Sequence, residues 1–232
     1  MIADDERGLE AAMRAATELG AKRVTSKLLT GPPAAQILET LADATFDLVV
    51  IGTHGRTGLS RILLGSVAEQ VVRHAPCSVL VVRPDSKLAP FDRILCPIDF
   101  SDSSPAALDL AVELARPGGA GITVLHVIEA PVSFSEPLPA NLLGDRERVS
   151  TQLLEEEASR LRAKTTLPIV VQSRVGSAGS ETLASLNDQV FDLVVVGSHG
   201  RTGFRRVLLG SVAEKIVRHA GCPVLVARSR RP

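Results

Sequence analysis

One stretch of this chain occurs twice. FDLVVIGTHGRTGLSRILLGSVAEQVVRHAPCSVLVV, Phe46 to Val82, returns as FDLVVVGSHGRTGFRRVLLGSVAEKIVRHAGCPVLVA, Phe191 to Ala227, at a constant offset of 145 residues with 27 of 37 aligned pairs identical. Solenoid units repeat every ~20–50 residues, so a copy of this length is a duplicated domain. The same offset aligns Met1 with Arg146, leaving the first copy without a counterpart of Phe91 to Asp145. One copy is complete and the other lacks its front, which divides the chain into residues 1–84 and 91–232.

Composition narrows the class. Hydrophobic residues make up 45%, aromatics only 3%, and Trp and Tyr are absent. The cores must be built from Val, Leu, Ile and Ala, which suits buried parallel strands and the helices that cover them. Lys plus Arg equals Asp plus Glu at 26 each, so no net field draws the chain to nucleic acid or to an anionic membrane. No apolar run approaches the ~20 residues that span a bilayer, and the acidic start MIADDERGLE is unlike a signal peptide. A soluble, cytoplasmic protein without nucleic-acid or membrane partners is the expectation. The three cysteines are too few and too scattered for a disulfide framework or a zinc site. Cys77 and Cys222 share one position in the two copies and Cys96 lies inside an apolar run; buried thiols acting as small hydrophobes are expected.

The complete copy alternates strands and helices. ILCPI (Ile94 to Ile98) is a short apolar run, followed by a helix with Ser103 or Ser104 as N-cap and Pro105 in its first turn. ITVLHVI (Ile122 to Ile128) is an unbroken apolar strand. A Pro-rich loop, Pro131 to Pro139, precedes a charged helix from about Asp145 to Lys164, with Val149, Leu153, Leu154 and Leu161 on its apolar side. PIVVQSRV (Pro168 to Val175), FDLVVVG (Phe191 to Gly197) and CPVLVA supply three more strands, separated by the helices ETLASLNDQ and SVAEKIVRHA. Such alternation implies right-handed crossovers and a parallel sheet between helices. Ligands of these sheets lie beyond the carboxyl ends of the strands, where strand order reverses.

A glycine-rich segment leaves one of those ends. Gly197, Gly200 and Gly210-Ser211 give G-x2-G-x9-G-S, and the first copy repeats it as Gly52, Gly55, Gly65 and Ser66. Glycines at a strand end let backbone N–H groups approach an anion without a Cβ in the way. Gly210-Ser211 opens a helix whose free N–H groups favour phosphate, with the Ser211 hydroxyl as a further donor. Arg201 in the intervening loop adds charge or points to solvent. The bland alternative is that the glycines serve a tight strand-to-loop connection. His54 and His199 beside them have no carboxylate or second ligand at a recognisable spacing and suit local hydrogen bonding, and His74 and His219 sit near helix C-termini in structural positions.

The run GSHGRTGFRRVLLGSVAEKIVRHAGCPVLV closely resembles that of the universal stress protein family. The resemblance covers Phe91 to Ala227 and the truncated copy almost throughout. It implies five-stranded parallel sheets in the order 3-2-1-4-5 flanked by helices, and a glycine spacing of the ATP-binding members. By resemblance, Pro97, Ile98 and Asp99 would end the first strand against adenosine, and Val127 would meet adenine through its backbone. Gly197, Ser198, His199, Gly200 and Arg201 after the fourth strand, with Gly210, Ser211 and Val212 at the helix start, would hold the phosphates. Magnesium would accompany them. Asp99 as a mere cap of the following helix and Val127 as a mere core residue stay open.

The first-copy equivalents of Asp99 and Val127 fall before residue 1, so that copy keeps Gly52, Gly55, Gly65 and Ser66 as a phosphate-loop remnant without an adenosine side. One nucleotide per chain is the expectation. In the order 3-2-1-4-5 the absent strands 1 and 2 also separate the first copy's third strand, expected at Val24 to Thr30, from its last two. An upstream start, a natural truncation or strands supplied by a partner would each account for this, and the first is the expectation. The last strands of the copies, Val79 to Val82 and Val224 to Ala227, would pair across an approximate two-fold axis into an intramolecular pseudo-dimer, with a homo-oligomer left open. The resemblance thus implies an ATP-binding regulator of the stress response. The alternative is an interaction module of the same fold without nucleotide. No P-loop lysine is present, so turnover is unsupported beyond the slow ATP hydrolysis or autophosphorylation of some relatives. A dinucleotide enzyme is disfavoured because G-x-G-x-x-G is absent after the first strand.

Overall fold

A computed structural model describes residues 2–53, 64–84, 86, 90–129, 140–200 and 209–228. The first copy forms α1 (Ile2–Glu18), α2 (Pro33–Asp43), β1 (Leu48–Gly52), α3 (Ser66–His74) and β2 (Ser78–Val82). The second forms β3 (Arg93–Ile98), α4 (Ser104–Ala115), β4 (Gly121–Ile128), α5 (Ala140–Lys164), β5 (Ile169–Val175), α6 (Ala178–Asp188), β6 (Leu193–Gly197), α7 (Ser211–His219) and β7 (Val224–Ala227).

All seven strands join one sheet, in the order β1-β2-β7-β6-β3-β4-β5. Within the complete copy this is 3-2-1-4-5, with every neighbour parallel. The two parallel sheets expected from the sequence are therefore fused: β2 meets β7 antiparallel, with Val79 opposite Val226, Leu80 opposite Leu225 and Val81 opposite Val224. α2, α3, α6 and α7 cover one face, while α4 and α5 cover the other.

The seam between the copies is pseudo-symmetric. Arg228 donates to the carbonyls of Val72 and Arg73 at the end of α3, and its counterpart Arg83 donates to Val217 and Arg218 at the end of α7. A cation there meets the negative end of the helix dipole, worth roughly 0.3–1 kcal/mol. Glu69, Arg73, Glu214 and Arg218 close a four-membered ring of ion pairs at 3.0–3.7 Å. Those side chains are about 30% exposed, so each pair contributes under ~1 kcal/mol. Burial of Val79, Val81, Val224 and Val226, all within 2% of complete, is worth roughly 1.5–3 kcal/mol per side chain and dominates.

Two expectations need correction. Val24 to Thr30 forms no strand, whereas its counterpart Ile169–Val175 pairs with β4 along its whole length. A strand is made by its neighbour's backbone groups, and no strand among the described residues pairs with this segment. On α5 the core face is Leu154, Ala158 and Leu161, while Val149 and Leu153 are exposed; positions i, i+4 and i+7 share a stripe that those two miss.

The duplication supplies its own comparison for β1. Leu193 and Val195 on β6 are completely buried beneath α4 and beside β3, but their equivalents Leu48 and Val50 are 39% and 59% exposed. Likewise Leu9, Met13 and Ala16 on α1, which correspond to the buried Leu154, Ala158 and Leu161, are only partly covered.

Candidate functional site

Strand order reverses between β3 and β6. β3 leads outward to β4 and β5, while β6 leads to β7 in the opposite direction. The segments that follow these two strands, Asp99 to Ser103 and Ser198 to Gly200, therefore face each other at the switch point where open parallel sheets hold ligands.

The turn after β3 is built around Asp99. Its Oδ1 accepts the Ser101 N–H at 3.0 Å and the Ser104 hydroxyl at 3.2 Å. Between them Phe100 adopts φ 61°, a left-handed conformation costing a bulky L-residue roughly 1–2 kcal/mol. Asp99 thus braces its own turn. Ser103 occupies the N-cap of α4 but makes no side-chain cap bond. Its hydroxyl donates instead to the His199 carbonyl, beside which Ser101 Oγ also lies at 3.5 Å.

Those contacts explain the first two glycines. A Cβ on Gly197 would strike the Ser103 hydroxyl and lie 3.2 Å from Ser103 Cβ, and one on Gly200 would stand 2.8 Å from Asp99 Oδ2. The G-x2-G spacing therefore lets two loops close on each other, and it brings the Asp99 carboxylate against the glycine loop. Gly210 then folds back over the backbone of Ser198 to Gly200, with the nearest atom 3.5 Å from its ideal Cβ.

Not every amide in the segment is open to a ligand. The Ser198 N–H donates to Ala227 and the Gly210 N–H to Ser198. The first-turn amides of α7, at Ser211, Val212 and Ala213, precede the first intrahelical donor, Glu214, which bonds Gly210. The Gly210 cap offers these amides no side-chain acceptor, so they and the exposed Ser211 hydroxyl form the anion-attracting edge. Arg201 and Gly55 lie outside the described residues. Val127 is buried near the end of β4, and the buried Ile98 and half-buried Pro97 lie near the end of β3, so the strand-borne residues sit at one end of the sheet with the loops.

His199 joins its Nδ1 to Ser198 Oγ at 2.9 Å. Burial first, then the positive charge of Arg228, lowers its pKa below the ordinary imidazole value, leaving it neutral at pH 7. It hydrogen-bonds locally within the loop. His74 likewise bonds the Gln70 carbonyl within α3. Burial raises all three thiols, Cys96 to about 12 and Cys222 to about 11, and so holds them protonated. Ser103 and Ser104, expected as N-cap candidates, instead tie the turn together, and Ser101 and His126 join them unexpected; the polar run S-D-S-S after Asp99 was the available signal for the serines.

In the first copy the equivalent turn survives in part: Thr53 N–H donates to Val82, and Gly65 N–H to Thr53. No described residue takes the place of Asp99 beside it. Among the described residues no group of three His, Cys, Asp or Glu is arranged to hold a metal ion, and no helix is long and apolar enough to cross a membrane. Two surface hollows lined by described residues, along α5 and between α6 and α7, lie away from this crevice.

Known proteins share this arrangement. A universal stress protein from Archaeoglobus fulgidus superposes with a TM-score of 0.73 at 24% identity, over 98% of this chain and 79% of that one. Universal stress protein UspA from Lactobacillus plantarum matches with a TM-score of 0.54 at 26% identity, over 61% of this chain and all of that one. In sequence, Universal stress protein Rv1996 of Mycobacterium tuberculosis is 31% identical over 234 residues, covering 96% of this chain and 71% of the relative. Universal stress protein Rv2005c of the same organism is 33% identical over 218 residues, covering 88% and 69%. The family's sequence profile matches residues 2–83 and 90–228. With both copies matched by that profile, this chain belongs to the universal stress protein family.

Proposed function

We propose that this protein binds ATP in its C-terminal copy and acts in the cytoplasm as a nucleotide-dependent regulator of the stress response. The observation that carries the proposal is the meeting of the Asp99 turn and the Gly197–Gly200 loop at the β3/β6 switch point. An acceptor carboxylate on one side and the uncapped α7 N-terminus on the other suit the two ends of a nucleotide: hydroxyl or amine donors of the nucleoside, and phosphate oxygens. Pro97, Ile98, Asp99 and Val127 would line the adenosine side. Gly200, Ser211 and Val212 would meet the phosphates, and the backbone of Gly197, Ser198, His199 and Gly210 would shape the loop beneath them. Magnesium would neutralise the triphosphate.

The described residues of the first copy retain the Gly52-Thr53 turn and Gly65-Ser66 and join the complete copy across the β2–β7 seam. Action through conformation or partner binding fits better than turnover, because no lysine of the P-loop kind and no base aimed at a γ-phosphate is present in the motif.

Isothermal titration of the full chain with Mg-ATP tests this reading. Binding is expected, lost or strongly weakened in Asp99→Ala and in Gly200→Ala, whose new Cβ would push into the Asp99 carboxylate. Unchanged affinity in both variants would refute the placement of the site. No binding at millimolar ATP would leave the non-nucleotide interaction module as the better account.

A further inference from the structure

Phe100 is the single non-glycine residue with positive φ among the described residues. A side chain in that conformation crowds its own backbone, so something must hold it there. Its ring lies against that of His126 on β4, centroids 4.5 Å apart and planes at 45°. His126 is buried, and its Nδ1 lies 2.9 Å from the Ile98 carbonyl oxygen. A carbonyl can only accept, so Nδ1 carries the proton and donates. One imidazole therefore grips the residues on both sides of Asp99: Ile98 by a hydrogen bond and Phe100 by ring contact.

We infer that His126 is a positioning residue of the nucleotide site, fixing the backbone around Asp99 and so aiming its carboxylate without itself touching the ligand. The inference rests on the nucleotide reading above. Asp99 Oδ1 is occupied by Ser101 and Ser104, and Oδ2 faces Gly200. A rotation of the Ile98–Phe100 backbone would therefore move the carboxylate relative to the glycine loop. The phosphate side stands on β6 and α7, which His126 does not brace. Its loss should weaken recognition of the nucleoside and leave recognition of the phosphate chain alone.

The test measures binding of Mg-ATP, adenosine and tripolyphosphate to wild type, His126→Phe and Phe100→Leu, alongside the 15N shifts of His126 in the unliganded protein. His126→Phe keeps a ring against Phe100 and removes the donor to Ile98. Phe100→Leu keeps that donor and removes the ring contact, at a half-buried position that keeps the test usable should the first variant not fold. Each variant should bind ATP and adenosine about tenfold more weakly, the scale of one lost hydrogen bond or ring contact, with tripolyphosphate unchanged. The shifts should report the Nδ1–H tautomer. Unchanged ATP affinity in both variants, a parallel loss of tripolyphosphate binding, or an Nε2–H tautomer would each overturn the role alone. Wild-type protein that binds neither ATP nor adenosine would overturn the nucleotide reading and this role together.

Discussion

Gly65 and Gly210 hold the same place in the two copies and should not tolerate alanine equally. Each precedes a nine-residue helix with no side-chain cap bond. Each donates its N–H to the residue that follows the strand, at 2.8 Å to Thr53 and 2.9 Å to Ser198. The difference is room. An ideal Cβ on Gly65 would stand 2.8 Å from the Thr53 carbonyl oxygen, whereas on Gly210 the nearest atom, Ser198 O, is 3.5 Å away. The first is a collision and the second an ordinary contact. Both alanine variants give up the glycine preference at an N-cap, ~1 kcal/mol or less, so that contribution cancels between them. What remains is the collision, and a backbone carbonyl already bonded to the glycine's own N–H cannot swing aside. Overpacking of this kind costs roughly 1–3 kcal/mol. Gly65→Ala should therefore melt about 2–12 °C below Gly210→Ala, at roughly 2–4 °C per kcal/mol for a chain of this size. Calorimetry supported by urea unfolding at equal m-value checks it. Equal melting of the two variants within about 1 °C, or a lower Tm for Gly210→Ala, would refute the geometric reasoning.

Three further outcomes follow from charges and titratable groups. Cys96, pushed up to about 12 by burial, stays protonated in the fold while the unfolded thiol ionises near its ordinary value. Stability should thus fall from pH 9 toward 12 by about 1.4 kcal/mol per pH unit from this group, and Cys96→Ala or Cys96→Val should flatten the slope in alkaline urea titrations. His199, held below the ordinary imidazole value by burial and Arg228, binds its proton less readily in the fold than in the unfolded chain. Its contribution should be full above that value and fall away at lower pH, with the His199 ring midpoint in NMR titration below 6.5; a midpoint above it would contradict the assigned surroundings. For the ion-pair ring, Glu69→Gln should cost under ~1 kcal/mol at low ionic strength and less near 1 M salt, and a salt-independent loss would point to packing as the cause.

The central strands and most helices of the complete copy were legible because their signals are local. Unbroken apolar runs such as Ile122 to Ile128 became a strand within a residue of the expected limits, and Ser211 opened α7 as its Gly-Ser pair suggests. The pairing of the last strands of the two copies, implied by the family resemblance, was found between Val79–Val81 and Val224–Val226. The interior of the site was less legible. Gly197 and Gly200 stood out, but the partners that demand them, Ser103 and Asp99, lie nearly a hundred residues away in the chain. Ser103 looked like a helix cap and proved to be a tie between loops.

Duplication, an α/β architecture and the place of the glycine loop were written in the order of residues, because their signals are patterns along the chain, while the strand order and the pairing of the copies came from the family resemblance. Only the folded chain revealed that Val24 to Thr30 forms no strand and that His126 grips both flanks of Asp99. Backbone pairing and side-chain contact are decided by what stands alongside in space. A segment with every local mark of a strand remains unpaired when no neighbour offers it hydrogen bonds.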